Sequence, residues 1–228
     1  TKNFKGLAAP IFIWDMSYPQ PRRVNVLRGI TSRVNVIDFS PDERFVIGCG
    51  EDSLIYLWDA STGEVIYGQR VAHNVSLVKW VDCFQDSNRC VCYELTFVIG
   101  STVYKGILSF EQLRVQWQLK MTPYQMPGAN VIRFFEVMEF TADLEYAFCV
   151  TTGGEITILR RGAAVFRSLI PVCCNGVRGI VCLDNETLMC GGGDGTIKKL
   201  RGKDTNWSVS QETKLPSPVL AMSLCKGG

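Results

Sequence analysis

The chain has very little histidine: His73 is alone among 228 residues. Metal sites built on several imidazoles are therefore excluded within it, and a Ser-His-Asp relay would have to use His73. No apolar run reaches the ~18 residues that a membrane-spanning helix needs. There is no excess of charge of one sign. Lys and Arg number 24 against 22 Asp and Glu, a net charge of +2. A nucleic-acid surface calls for a strongly basic face, so that class of partner is not expected. Gly and Pro, at 21 and 9, are near average usage, so the chain is not of low complexity. No C-x-x-C pair occurs among the ten cysteines. Their spacing does not resemble a secreted disulfide framework, and they read as small buried reduced thiols of an intracellular protein. Zinc or redox chemistry at Cys83, Cys90 and Cys92 lacks a second ligand pair at zinc spacing. The stretch Gly191-Gly192-Gly193-Asp194-Gly195 has no Lys-Ser/Thr after it and no helix to open, so it reads as a hairpin turn rather than a phosphate loop. No cofactor, metal or small-molecule substrate is expected, nor is catalysis.

What is present is a repeat. Ile11-Phe12-Ile13-Trp14-Asp15 and Leu54-Ile55-Tyr56-Leu57-Trp58-Asp59 place two Trp-Asp pairs 44 residues apart. Apolar strands ending at Trp117, Leu159 and Leu200 continue the series at steps of 59, 42 and 41 residues. A period in the low forties with a strand ending in Trp-Asp is the pattern of a four-stranded propeller blade. A second register agrees. Val34–Asp42 and Val137–Asp143 each run as a strand into a turn, and Phe39 to Trp58 and Phe140 to Leu159 are both 19 residues. Gly176–Leu183 and Val219–Leu224 fill the same slot later. Cys49, Cys149 and Cys190 end second strands and are expected to share one structural position.

The units expected are 1–29 (partial), 30–71, 72–129, 130–171, 172–213 and 214–228 (partial). An insertion at 82–106 would account for the long step, and Leu113–Trp117 would be the third strand of its unit. The fold expected is all-β: about five four-stranded blades of an incomplete, seven-bladed propeller, cut from a longer chain with blades on both sides. Trp14, Asp15, Asp52, Trp58, Asp59, Trp117 and Asp194 are expected to serve the architecture rather than a ligand. The basic run Lys198, Lys199, Arg201 and Lys203 is the candidate partner contact, through charges that guide docking more than they add affinity.

The residues match more than a generic propeller. Phe4–Asp15, Phe39-Ser40-Pro41-Asp42, Thr151–Ile156 and Gly191–Thr196 follow in that order. The chain resembles the WD-repeat proteins of cilia and flagella. It departs from the usual WD pattern where Ile30 replaces the His of Gly-His, where His73 fits that place only loosely, and where Leu159 and Leu200 replace the Trp. The resemblance implies two tandem propellers in the whole protein, with this segment inside the first. It implies a non-catalytic structural protein of the axonemal cytoskeleton, bound to tubulin and neighbouring inner proteins in the lumen of doublet microtubules, in the B-tubule near the inner junction. A soluble adaptor in a ubiquitin ligase, intraflagellar transport or ribosome assembly is the alternative.

Overall fold

The computed structural model describes residues 10–125, 132–162, 166–173, 175–204 and 206–225, with backbone only at 166–169. The long turn expected around Asn3–Pro10, apart from Pro10 itself, and Cys174 lie outside the described residues. Eighteen strands follow one another without a helix among the described residues. They are β1 (Ile11–Asp15), β2 (Arg22–Leu27), β3 (Val34–Phe39), β4 (Phe45–Gly50), β5 (Leu54–Asp59), β6 (Val65–Arg70), β7 (Val75–Gln85), β8 (Val91–Ile99), β9 (Thr102–Glu111), β10 (Gln116–Pro123), β11 (Phe135–Phe140), β12 (Tyr146–Thr151), β13 (Glu155–Arg160), β14 (Phe166–Pro171), β15 (Val177–Cys182), β16 (Thr187–Gly192), β17 (Thr196–Lys203) and β18 (Asn206–Lys214).

Each four-stranded sheet is an antiparallel meander in chain order: β3–β6, β7–β10, β11–β14 and β15–β18; β1 and β2 form a two-stranded ribbon. These are β-propeller blades. The described residues hold four whole blades and the two-stranded ribbon of a partial one, in keeping with the incomplete propeller of about five blades that was expected. Val219–Leu224, expected as a further strand, is not one, although Val219 is buried and its N–H reaches the Gly192 carbonyl at 3.1 Å. The chain divides into two units, Thr1–Thr122 and Pro123–Gly228.

Turn chemistry sets the strand ends. Ser40-Pro41-Asp42-Glu43 and Thr141-Ala142-Asp143-Leu144 make the same turn. The Glu43 N–H reaches the Ser40 carbonyl, the Leu144 N–H the Thr141 carbonyl, both at 2.9 Å, and Glu43 and Leu144 have φ of 58° and 59°. A turn followed by a left-handed residue is the three-residue hairpin closure. Ser40 and Thr141 donate their hydroxyls to Asp42 and Asp143 at 2.7 and 2.6 Å, which holds each turn shut.

The blades also share a register. In each, pairing of the first two strands shifts after its first pair: Val34/Val36, Val75/Leu77, Phe135/Val137 and Val177/Gly179. Counting from that bulge aligns the blades residue by residue and corrects one expectation. Cys149 pairs with Met138 and Cys190 with Ile180, and the counterpart in the β3–β6 blade is Gly48, which pairs with Ile37. Cys49 is one residue further on. A one-residue offset on a strand places a side chain on the other face. The three cysteines do not share one position.

Two corrections concern the β7–β10 blade. The third strand is β9, not Leu113–Trp117; Trp117 lies on the outer strand β10. No inserted loop occupies 82–106. The extra residues lengthen the strands: β7, β8 and β9 have 11, 9 and 10 residues, against 6 in each of β3, β4 and β5.

A large residue in one strand is matched by a small one in its neighbour. Trp58 is fully buried, and a Cβ on Gly48 would lie 2.9 Å from its ring. At the same two places the β7–β10 blade reverses the sizes. Phe97 stands where Gly48 does, and Gly106 stands where Trp58 does; a Cβ on Gly106 would come within 2.6 Å of the Phe97 ring. The other two blades carry intermediate sizes at both places, Cys149 with Leu159 and Cys190 with Leu200. Close packing leaves room for one large group or two medium ones at this spot.

Aromatic seams join blades within each unit. Phe45 meets Trp117 edge-on at 4.9 Å and Tyr93 at 5.5 Å. The Tyr93 hydroxyl donates to Asp42 at 2.7 Å. In the second unit Phe148 meets Trp207 at 4.8 Å, and the Tyr146 hydroxyl donates to Asp204 at 2.8 Å. Such pairs contribute roughly 0.5–1.5 kcal/mol beyond the area they bury.

Candidate interaction surface

The residues expected to serve the architecture fall into different settings. Trp58 sits with Leu27, Ile30 and Val46 in one apolar cluster. Its indole N–H donates to the Arg28 carbonyl at 2.6 Å, and Tyr56 stacks on it at 5.5 Å. The Tyr56 hydroxyl donates to Asp52 at 3.1 Å, and Asp52 also accepts the Leu54 N–H at 3.2 Å. Asp59 accepts the N–H groups of Ser61 and Thr62 at 2.8 and 3.1 Å, and Asp15 accepts Ser17 N–H at 2.9 Å. Asp194 accepts the Thr196 N–H at 2.9 Å. The Ser17 and Ser61 hydroxyls, joined by these N–H groups, hold the Asp15 and Asp59 carboxyls below the usual carboxylate range, and the Thr196 N–H does the same for Asp194. Each carboxylate closes a local turn.

Trp14 differs. It is 52% exposed and lines an apolar groove of about 310 Å³ with Phe12, Ile37 and Phe39. Strand β4 covers Trp58 from its inner side. Strand β1 pairs only with β2 among the described residues. Trp117 is half-buried between Phe45 and Phe110, 4.9 and 5.5 Å away, and packs the blade seam. His73 is exposed beside Gly100.

The basic run does not form one patch. Side chains alternate along β17, so Lys198 lies on the face opposite Lys199, Arg201 and Lys203. Lys198 is turned inward and ion-paired with Glu212 at 3.4 Å. Lys199 is half-buried, and only Arg201 and Lys203 are exposed. With Glu212 largely exposed, this pair contributes roughly 0–1 kcal/mol.

Cys49, Cys149 and Cys190 are fully buried, Cys92 nearly so, and Cys225 is exposed. Burial, with the Asp52 charge nearby, pushes the Cys49 thiol up to about 12. Burial, with Glu139 and Asp184, does the same for Cys182, also to about 12. Thiols of this kind are inert. Cys83, Cys90 and Cys92 lie along the β7–β8 hairpin. Among the described residues no three His, Cys, Asp or Glu side chains gather as a metal-binding group.

The strongest surface feature was not legible as a motif. Three to five extra residues per strand at ~3.3 Å each carry the β7–β10 blade about 10–16 Å beyond the turns of the β3–β6 blade. Two turns make its tip. In one, Asp86 accepts the N–H groups of Asn88 and Cys90 at 2.9 and 2.8 Å. In the other, Leu113 is 95% and Val115 76% exposed. Gln112 bridges them through its amide to the Cys90 sulfur at 3.6 Å. Val115 has φ of +51°, costly for a β-branched residue. Phe84 and Phe110 flank the tip, with Arg89 and Arg114 exposed. Arg114 is paired with Glu111 at 3.6 Å, so the tip is chiefly apolar and suits a partner with an apolar recess.

The WD domain, G-beta repeat family matches residues 21–59, which run from β2 to the end of β5. The chain is 25% identical over 229 residues to cilia- and flagella-associated protein 52 of Chlamydomonas reinhardtii, covering 98% of the chain and 35% of the relative. It thus spans about a third of that relative's length. The β-propeller domain of Myceliophteria thermophila Cps50 (Swd1) superposes with a TM-score of 0.66 at 10% identity, over 93% of this chain and 68% of that one. This last likeness concerns the fold alone.

Proposed function

We propose that this chain is part of a non-catalytic WD-repeat protein of cilia and flagella that binds tubulin and neighbouring inner proteins. Its place is the lumen of axonemal doublet microtubules, in the B-tubule near the inner junction, where it stabilises the axoneme for motility. The observation that carries the reading is the similarity to cilia- and flagella-associated protein 52 across 98% of the chain. WD-repeat propellers typically act as scaffolds for other proteins. The polar groups described above fit that role. Asp42, Asp52, Asp59, Asp143 and Asp194 are engaged in turns and seams rather than converging on a cleft. The extended β7–β10 edge supplies a contact element, and Leu113, Arg114 and Val115 would meet the partner.

The test is localisation of the tagged full-length protein, followed by detergent and high-salt extraction of the cytoskeleton. Retention along axonemal microtubules is expected. Full release by detergent, or a diffuse or nuclear signal, would overturn the reading and favour a soluble adaptor in a ubiquitin ligase, intraflagellar transport or ribosome assembly.

A further inference from the structure

Asn175 is the one asparagine of the chain that glycine follows; the others precede Phe, Val, Arg, Glu or Trp. A side chain on the next residue hinders the approach of that residue's backbone nitrogen to the asparagine Cγ. Glycine leaves the approach open, because it has no Cβ and a wider choice of backbone angles. The pair lies in the connection between β14 and β15. Asn175 is exposed, and Gly176 has a φ of +75°. Among the described residues neither the Asn175 amide nor the Gly176 N–H has a hydrogen-bond partner. Most backbone N–H groups in a fold are engaged, and an engaged nitrogen is held back from attack.

Other asparagines show the contrast. The Asn25 amide donates to the Ala60 and Ser61 carbonyls at 3.0 and 2.9 Å. Asn74 accepts the Ser53 hydroxyl at 2.9 Å, and Asn185 accepts the Asp143 N–H at 3.0 Å. Asp194-Gly195 is a related pair, but its carboxylate accepts the Thr196 N–H at 2.9 Å, and the Gly195 N–H is engaged by the Gly192 carbonyl at 3.0 Å.

Gly176 also carries a bond that every whole blade repeats. The carbonyl just before each first strand accepts an N–H from the residue that follows the second strand. The pairs are Glu51 to Arg33 at 2.9 Å, Gly100 to Asn74 at 3.2 Å, Thr152 to Phe134 at 2.9 Å and Gly193 to Gly176 at 3.0 Å. The surroundings of the last pair are tight. A Cβ on Gly193 would lie 2.5 Å from the Asn175 carbonyl oxygen, and one on Gly176 3.0 Å from the Thr152 carbonyl oxygen.

We infer that Asn175-Gly176 is a self-modification site, at which the main chain rearranges to isoaspartate and releases the Gly176–Gly193 bond at the start of β15. The Gly176 nitrogen attacks the Asn175 Cγ. The new C–N bond closes a cyclic imide, the bond from Cγ to the side-chain nitrogen breaks, and that nitrogen leaves as ammonia with the Gly176 proton. Solvent water then opens the ring. Attack at the Asn175 backbone carbonyl carbon leaves the chain running through the side chain, as isoaspartate; attack at Cγ leaves aspartate. No electrons are transferred, and one amide and one water become one carboxylic acid and one ammonia. Isoaspartate adds a methylene to the main chain between residue 175 and Gly176. The tight surroundings leave no room for it without displacing the Gly176 carbonyl. The reaction involves no partner, so it stands independently of the proposed function.

The test incubates the full-length protein at mildly alkaline pH in heavy-oxygen water, then maps its peptides by mass spectrometry with fragmentation that separates isoaspartate from aspartate. Heavy oxygen at residue 175 is expected, with isoaspartate exceeding aspartate. The aged protein should also exchange its Gly193 amide faster than fresh protein. Asn175→Gln should stay unmodified, since the longer side chain would have to close a larger ring. The inference is overturned if residue 175 stays asparagine in the folded protein, whether or not the urea-unfolded chain reacts. Aspartate without isoaspartate would also overturn it, since direct hydrolysis needs no attack by Gly176. Unchanged exchange at Gly193 in the isoaspartate form would overturn the release of the bond. The wild-type map decides the modification even if the variant folds poorly.

Discussion

The exchange of sizes between neighbouring strands can be measured. In the β3–β6 blade Trp58 fills the space that Gly48 leaves; a Cβ there would sit 2.9 Å from ring atom Cζ3 and 3.2 Å from Cη2. Two other blades use leucine and cysteine at the same places. Trp58→Leu should open a cavity and orphan the Arg28 carbonyl. A full Trp→Ala truncation costs about 3–5 kcal/mol. Trp58→Leu should cost about 2–3 kcal/mol, of which ~1 kcal/mol is the lost hydrogen bond. Gly48→Cys alone should cost about 1–3 kcal/mol by overpacking against the intact indole. In the double variant the new thiol enters the space that the ring vacates. The two costs should then fall short of their sum by about 1–2 kcal/mol. A long propeller chain need not unfold in two states, so the assay is native-state hydrogen exchange of the β4 and β5 amides, which reads local opening free energy. Additive costs, within ~0.5 kcal/mol, would refute the shared-space argument.

The reversed pair in the next blade predicts that Gly106→Ala destabilises the β7–β10 blade by about 1–3 kcal/mol through the Phe97 ring, read as faster exchange in β8 and β9. Thiol labelling of the folded protein at pH 8 should modify Cys225 within minutes and leave Cys49 and Cys149 untouched until unfolding; rapid labelling of either would contradict their burial. Leu113→Asp with Val115→Gly should leave the thermal midpoint within a degree or two of the wild type while weakening axonemal retention; unchanged retention would remove the tip from the proposed contact. Acid should loosen the blade turns. Burial raises Asp42, but bonds from Ser40, Tyr93 and the Arg44 N–H outweigh it and leave its pKa lowered; Thr141 lowers Asp143. A depressed folded-state pKa gives stability that is present above the unfolded value, about 4, and lost as pH falls through the folded value. The thermal midpoint should therefore drop below about pH 4. Tyr93→Phe should shrink that drop.

The repeat was legible because blade geometry imposes a period that the chain cannot conceal. Large apolar residues at Trp58, Leu159 and Leu200, Asp-closed turns after Ser40 and Thr141, and alternating apolar residues recur at that period. The errors came where two different sequences satisfy one constraint. Trp117 looked like the next Trp58 because both are tryptophans after an apolar strand. The true counterpart is Gly106, since the bulk had moved to Phe97 on the neighbouring strand. The surplus residues of that blade looked like a loop, yet alternating Val, Tyr, Leu and Phe in β8 and β9 form longer strands instead. Cys49 and Cys149 looked equivalent because both precede a turn, and a one-residue offset then turned one of them to the other face.

The same limit explains why the proposed contact surface was the least readable part. Lys198, Lys199, Arg201 and Lys203 are dense in sequence, but strand alternation divides them, and Glu212 neutralises the one that points inward. Leu113 and Val115 are unremarkable in sequence, but extended strands carry them to a tip where little else covers them. A partner reads what protrudes and what is left unpaired. Both properties depend on strand length and register more than on composition. An exposed apolar tip also carries a standing cost, because Leu113 and Val115 gain nothing from solvent and Val115 is held at a strained φ. Replacing Val115 with glycine would relieve that strain. A tip of no use to the protein should therefore become more stable on the change and lose no binding. A tip that docks should lose the apolar contact.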